Sequence, residues 1–280
     1  MPNPTLPDLT SYFCSLLFSD AMIAYYDRAD ILRHIPVHRL ILSLHSPFFA
    51  AAFSLPFSES SDPTHTITLH DDDPVALFSA IRWCYGHSLY QLDGDEDLET
   101  TLAFRDLIAM GFTQEEEQAI SGLLLHLMRV YVVADKYDIE KLRGEVLVHY
   151  DRLAPLLQLH KLDGQIFEQM VEVVYQPPST STNNKGNKLK AKFLRDLVGE
   201  IYPVTPGKNS RETERVKKMR AKKTGKKNDR ELQEVERIVR SCIFKIRTVG
   251  IGKEWKREFM RDVKREVRRE VKKRCRTQCQ

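Results

Sequence analysis

Three consecutive carboxylates are the first residues in this chain that could do chemistry. Asp71, Asp72 and Asp73 suggest a divalent cation site by composition. Side chains of adjacent residues cannot easily converge on one ion, and Pro74 follows them directly. An acidic residue before a proline is typical of a helix N-terminus. The sequence therefore predicts a helix cap here and no magnesium site.

A second acidic run has the opening spacing of a calcium-binding EF-hand loop. Asp93, Asp95 and Asp97 match its first three ligand positions. The loop requires glycine at position 6 and glutamate at position 12. Leu98 and Phe104 occupy those positions. The pattern excludes an EF-hand of this kind.

No other motif indicates catalysis. The chain lacks the glycine-rich phosphate loops, the nucleophile elbow and the zinc-protease helix. Its nine His and five Cys do not cluster at zinc-finger spacing, and Cys275 and Cys279 have no second ligand pair nearby. His38 is more typical of a core histidine bonded to the backbone than of a ligand. We therefore expect no enzyme, no cofactor, no metal and no small-molecule substrate.

Charge divides the 280 residues into two parts. Residues 1–180 contain 11 Lys and Arg against 26 Asp and Glu, whereas residues 181–280 contain 32 against 13. Such asymmetry indicates two functional parts. No signal peptide or span of roughly 18 apolar residues is visible, and the cysteines are scattered. We expect a soluble protein of the nucleus and/or cytoplasm that does not engage membranes.

The elements that position these residues can be read from the apolar pattern. Strands are predicted at about 20–26, 35–38 and 66–70. A helix over 40–53 is kinked or restarted by Pro47. A further helix follows Pro74 and ends near Gly86, and two strong helices are separated at Tyr137–Asp138.

In their order, these segments resemble the BTB/POZ domain. The matching segments are Ser19-Asp20, Val37-His38-Arg39, the helix with Ser46-Pro47-Phe48-Phe49, Phe57-Ser58-Glu59 before TITLHDDDP, FSAIRWCY and YVVADKYDIEKLR. The resemblance covers residues 19–152 and implies an α/β fold, a small, mostly three-stranded sheet flanked by helices, followed by an α-helical C-terminal region. The chain departs from the family in an insertion near 88–122.

This resemblance sets the expected organisation of the chain. The predicted parts are a lead-in helix (1–18), the BTB/POZ domain (19–152), a helical extension (153–202) with a flexible linker at 176–190, a basic mobile linker (203–228) and a basic helical tail (229–275).

The resemblance also implies site residues. Asp20 and Arg39 would line a charged pocket at a dimer interface, beside the signature residues His38, Ser46 and Phe49. The alternative is that Asp20 caps a turn and Arg39 lies on the surface. The dimer helices would present Tyr12, Leu16, Leu17, Leu40 and Leu44.

The implied function is protein–protein interaction. The chain would form a homodimer, bind another protein, and serve as a substrate adaptor for a cullin-3 type ubiquitin ligase through a cullin-3 homologue. The contact region for the cullin would adjoin the insertion near 88–122.

The basic half supports a different reading. A cluster suited to nuclear import or nucleic-acid contact comprises Lys217, Lys218, Arg220, Lys222, Lys223, Lys226 and Lys227. The alternative function is a nuclear, nucleic-acid-associated regulatory factor in which the BTB domain oligomerises. A mobile linker that only confers solubility, and a tail folded onto the acidic half, are the other readings.

The last segment repeats every four residues. Trp255, Phe259, Val263, Val267 and Val271 form an apolar row, and each acidic residue beside it has a cation three positions later. Such i,i+3 pairs stabilise an exposed helix by about 0.2–0.5 kcal/mol each. The pattern favours a helix that faces solvent and packs through Trp255 and Phe259.

Overall fold

The computed structural model describes residues 9–54, 65–89, 114–157, 159, 162–175, 188–201 and 253–278. These residues form two compact units, one ending at Leu153 and the other beginning at Ala154. The basic cluster between Lys217 and Lys227 lies outside the described residues.

A three-stranded mixed sheet is the centre of the first unit. Strand β1 (Ala21–Tyr26) lies between β2 (Leu32–Val37) and β3 (Thr66–Leu69). It pairs antiparallel with β2 and parallel with β3, so Ile23 lies opposite both Ile35 and Ile67. These three isoleucines are buried. The central position of β1 explains why its apolar residues run nearly without polar alternation.

Two short helices follow β2. Helix α1 (Arg39–His45) and helix α2 (Pro47–Ser54) are separated at Ser46. Proline disfavours helical backbone in the residue before it, and Ser46 is extended with φ −139° and ψ 115°. The Ser46 hydroxyl accepts a hydrogen bond from the Phe49 amide at 3.1 Å. The predicted restart at Pro47 is confirmed.

Three longer helices complete the first unit. They are α3 (Pro74–Cys84), α4 (Gln114–Lys136) and α5 (Glu140–Leu153). The carboxylate of Asp73 accepts a hydrogen bond from the Ala76 amide at 3.0 Å, which confirms the predicted cap. Asp138 has φ +52° and separates α4 from α5 where the sequence predicted a break.

The second unit contains three described α-helices. They are α6 (Gly164–Tyr175), α7 (Lys188–Ile201) and α8 (Lys253–Gln278). Its core joins the Phe167 ring to those of Phe193 and Phe259, with centroids 6.3 and 6.2 Å apart. Val263 and Val267 are also buried. Phe259 therefore packs as predicted, and Val263 and Val267 extend the packed face of α8, whereas the side chain of Trp255 lies outside the described residues.

Two predicted i,i+3 ion pairs of α8 are present, between Asp262 and Arg265 and between Glu266 and Arg269. Glu258 instead pairs with Lys190 of α7 at 2.6 Å. A cation on a packed neighbouring helix has replaced the expected partner on the same helix.

Three predicted boundaries need correction. Within the described part of the predicted lead-in helix, residues 9–18, the one helical element is a 3₁₀ turn, Leu9–Tyr12, because Cys14 and Phe18 have φ of +54° and +62° and cannot continue a right-handed helix. Residues 114–122 of the expected insertion belong to α4, which leaves 90–113 outside the described residues. The linker predicted to reach residue 190 stops earlier, since α7 begins at Lys188.

Removing the Ser46 hydroxyl should destabilise the first unit. This hydroxyl is buried and donates a 2.5 Å hydrogen bond to the Tyr137 carbonyl oxygen. Ser46→Ala leaves that oxygen and the Phe49 amide without their partner. Guanidinium denaturation should show a loss of about 1–3 kcal/mol in the free energy of unfolding.

Ser54→Ala is the matched control, because Ser54 is exposed at the end of α2. Its effect should stay within about 0.5 kcal/mol. Equal stability of the two variants would show that the Ser46 bond does not hold α1 and α2 to α4.

Candidate protein interaction site

Five large apolar side chains project into solvent from the start of the first unit. Their exposed fractions are 78% for Leu16, 57% for Leu17, 76% for Phe18, 71% for Leu40 and 73% for Leu44. We call these five residues the apolar patch. Leu40 and Leu44 are four residues apart on α1 and therefore share one helix face. A group of exposed large apolar side chains on neighbouring segments is typical of an interaction site.

The first three patch residues lie on a turn that ends just before β1. The Leu17 amide donates to the Ser15 hydroxyl at 3.1 Å, and the Ser19 hydroxyl donates to the Leu16 carbonyl at 3.2 Å. Phe18 has φ +62°, which is unfavourable for a bulky side chain. The turn holds Phe18 outward at a conformational cost.

Helix α1 is fixed beside this turn by Asp20. The Asp20 carboxylate accepts a 2.8 Å hydrogen bond from the Arg39 backbone amide, at the first residue of the helix. His38, the residue before α1, makes no side-chain cap. A carboxylate at a helix N-terminus satisfies a free amide and complements the helix dipole. Asp20 is thus a cap supplied from another element.

The side chains of Asp20 and Arg39, which the resemblance places in one charged pocket, do not bond to each other in this structure. The Arg39 guanidinium donates to the Phe53 carbonyl oxygen at 2.7 Å and lies 5.6 Å from the centre of the Phe53 ring. Among the described ion pairs, none joins the two side chains. The carbonyl at the end of α2 and the adjoining aromatic face compete successfully for the guanidinium. The charged pocket at a dimer interface stays a prediction.

His38 links the patch to the interior. Its Nε2 lies 2.9 Å from the Leu17 carbonyl oxygen, and its Nδ1 lies 2.9 Å from the Tyr85 hydroxyl. Because a carbonyl oxygen only accepts, Nε2 carries a proton. Burial raises the pKa of Tyr85 to about 12, so its hydroxyl stays protonated and can donate to Nδ1. The His38 side chain therefore holds Leu17 in place through the backbone carbonyl of Leu17.

The structure separates the other predicted site residues into two groups. Tyr12 is partly buried, with its ring 5.9 Å from His38 and 6.4 Å from Phe18. Ser46 and Phe49 are buried and support α1 and α2 from inside. Phe18 was not among the predicted residues. The apolar run Leu16-Leu17-Phe18, directly before Ser19-Asp20, was the signal that could have identified it.

A serine–histidine pair lies in the first unit. Ser79 Oγ lies 3.2 Å from His126 Nε2. The nearby Asp73 carboxylate caps α3 and forms 3.6 Å ion pairs with Arg28 and Arg129. Within the described residues, no hydrogen bond joins Asp73 to the His126 ring. The pair lacks the orienting carboxylate that activates a serine nucleophile.

In the ranges that the structure covers, no three His, Cys, Asp or Glu side chains are arranged to hold a metal ion. None of the helices described is both long and apolar enough to cross a bilayer.

Comparison with known proteins agrees with this geometry. Residues 9–121 match the family model of the BTB/POZ domain. No curated protein matches the chain.

Acid should destabilise the first unit through the buried side chain of His126. Burial lowers the pKa of His126, and the charges of Arg129 and Arg28 lower it further, against the opposing effect of Asp73. The unfolded chain then binds more protons below the ordinary histidine pKa of 6.5. The contribution of the neutral His126 ring to the free energy of unfolding is therefore complete above pH 6.5 and is lost as the pH falls.

The test compares free energies of unfolding at pH 7.5 and 5.5. His126→Gln should show a smaller loss on acidification than the wild type, because glutamine cannot titrate. His34→Gln, at an exposed position of β2, should retain the wild-type loss. An unchanged pH dependence in His126→Gln would contradict the assignment.

Proposed function

We propose that this chain, whose residues 9–121 match the family model of the BTB/POZ domain, self-associates through the apolar patch. The BTB domain is a protein–protein interaction and oligomerisation domain, and it is generally non-enzymatic. The observation that carries the proposal is the exposure of five large apolar side chains on two neighbouring elements.

The free energy gained by burying the apolar patch is comparable to the cost of association. Burying a leucine or phenylalanine fully contributes roughly 1.5–3 kcal/mol, so five side chains contribute at most about 8–15 kcal/mol. Association costs an estimated 4–15 kcal/mol in lost translational and rotational freedom. One patch against an unrelated polar surface would barely offset that cost.

A second copy of this chain is the best partner for the patch. In a two-fold dimer each copy buries its own patch, so the apolar gain doubles while the loss of rigid-body freedom occurs once. None of the five patch residues is ionisable, so pairing two patches brings no like charges together. Helix α1 presents Leu40 and Leu44 as a regular face that an identical helix can pack against.

The adaptor role in a cullin-3 type ubiquitin ligase is a further part of this proposal. Self-association would supply two partner-binding surfaces per assembly. The region expected to contact a cullin-3 homologue adjoins residues 88–122, most of which lie outside the described residues. This role, and the location in nucleus or cytoplasm, stay predictions.

A double substitution on α1 tests self-association. Light scattering of the full chain should give twice its 32.5 kDa mass at micromolar concentration. Leu40→Glu with Leu44→Glu should shift the particle to a single chain mass, because two like-charged carboxylates per copy would face each other in the interface.

Val148→Glu is the control, since Val148 is a half-exposed apolar residue of α5 outside the patch. This variant should keep the dimer mass, and all three proteins should share one circular dichroism spectrum. A wild-type monomer, or a dimer that survives the double substitution, would refute the proposed surface.

A further inference from the structure

A groove of about 650 Å³ runs between α7 and α8 in the second unit. One side of it is formed by four arginines of α8, Arg257, Arg261, Arg265 and Arg269, which we call the arginine row. Helix α7 contributes Lys190 to the opposite side. Five cations therefore line one groove.

The spacing of the arginine row is regular. Its members are four residues apart, so successive Cα atoms rise by about 6 Å and the row extends over about 18 Å. Each step also turns by about 40° around the helix axis. A flexible, extended polyanion can follow a winding row of this kind, whereas a straight rigid helix meets only part of it.

Three carboxylates interrupt the row, but they are already bound. Asp262 is mostly buried, with Lys190 Nζ at 2.9 Å, Arg265 Nη1 at 3.1 Å and the Tyr175 hydroxyl at 3.1 Å. Glu258 pairs with Lys190, and Glu266 with Arg269. The Lys190 ammonium is further held 3.9 Å from the centre of the Tyr175 ring. These contacts fix the floor of the groove and neutralise its acids.

Among the described side chains, two arginines of the row have no acidic partner. Arg257 and Arg261 are exposed, and among the described side chains neither has a carboxylate within 4 Å. They are one helical turn apart on the groove side. Guanidinium groups in this arrangement present planar forks that bind phosphate oxygens in a bidentate manner.

We infer that the groove between α7 and α8 binds the phosphodiester backbone of a single-stranded nucleic acid through the arginine row. Residues 181–280 contain 32 Lys and Arg against 13 Asp and Glu. A long polyanion can engage the groove and this wider basic surplus together, whereas a short acidic peptide engages the groove alone. This activity is separate from self-association by the BTB domain.

Fluorescence anisotropy of a labelled 20-nucleotide DNA strand of mixed sequence provides the test. The full chain is titrated over a series of KCl concentrations, and Arg257→Gln with Arg261→Gln is compared with the wild type. At about 0.1 M salt the variant should bind on the order of ten-fold more weakly. The slope of log affinity against log salt should become shallower by about 1.4, or 0.7 for each lost contact.

The matched control is Arg195→Gln with Arg268→Gln. Both arginines are exposed on the same two helices, but neither lines the groove. The control removes the same charge and should change the affinity less than two-fold. Helicity by circular dichroism should be equal in all three proteins, since glutamine is a good helix former.

Three outcomes would overturn the inference. Equal weakening by both double variants would mean that attraction is spread over the basic surface. No weakening by the groove variant would mean that the groove is not used. Tighter binding of a labelled polyglutamate of the same charge would indicate an acidic protein partner instead.

Discussion

The hydrogen bond from the Ser46 hydroxyl to the Tyr137 carbonyl oxygen fixes where the first unit can present helix α1. Tyr137 lies at the junction of α4 and α5, and its ring contacts those of Phe48 and Phe49 at 5.0 and 5.4 Å. Its hydroxyl donates to the mostly buried carboxylate of Asp72. One aromatic residue thereby ties α2, the β3–α3 connection and the long helices together.

Exposure of the apolar patch follows from this anchoring. Helix α1 is held at its C-terminal end through Ser46 and at its N-terminal end through the Asp20 carboxylate. Leu42 is its one fully buried residue. A helix of seven residues fixed at both ends cannot rotate to hide Leu40 and Leu44. The packing of the core therefore keeps Leu40 and Leu44 exposed. A partner surface is needed to remove these two side chains from water.

Local chemistry made much of the first unit predictable from sequence. Pro47, Pro74 and Asp138 act on their own backbone or on adjacent residues, so the helix boundaries near them could be inferred without tertiary information. The doubly buried β1 was visible for the same reason, because its apolar run has no polar face. What could not be inferred were contacts between distant segments. The Arg39 guanidinium binds the Phe53 carbonyl instead of Asp20, and the turn at Cys14 and Phe18 replaces a helix.

In the second unit, too, contacts between distant segments could not be inferred from the sequence. The four-residue period of α8 correctly indicated an amphipathic helix with internal ion pairs. Its partners α6 and α7, and the diversion of Glu258 to Lys190, depend on packing that the period does not encode. The arginine row became a groove only because α7 lies beside it. Residue spacing thus identified the candidate binding residues, and helix packing determined which of them line one groove.

Hydrogen–deuterium exchange at low and high micromolar protein concentration tests most directly whether a second copy covers the apolar patch. The account predicts that amides of residues 15–18 and of α1 (Arg39–His45) become more protected as concentration rises, while those of α5 (Glu140–Leu153) do not change. Exchange at α1 that is independent of concentration, or protection gained only in α8 (Lys253–Gln278), would contradict it.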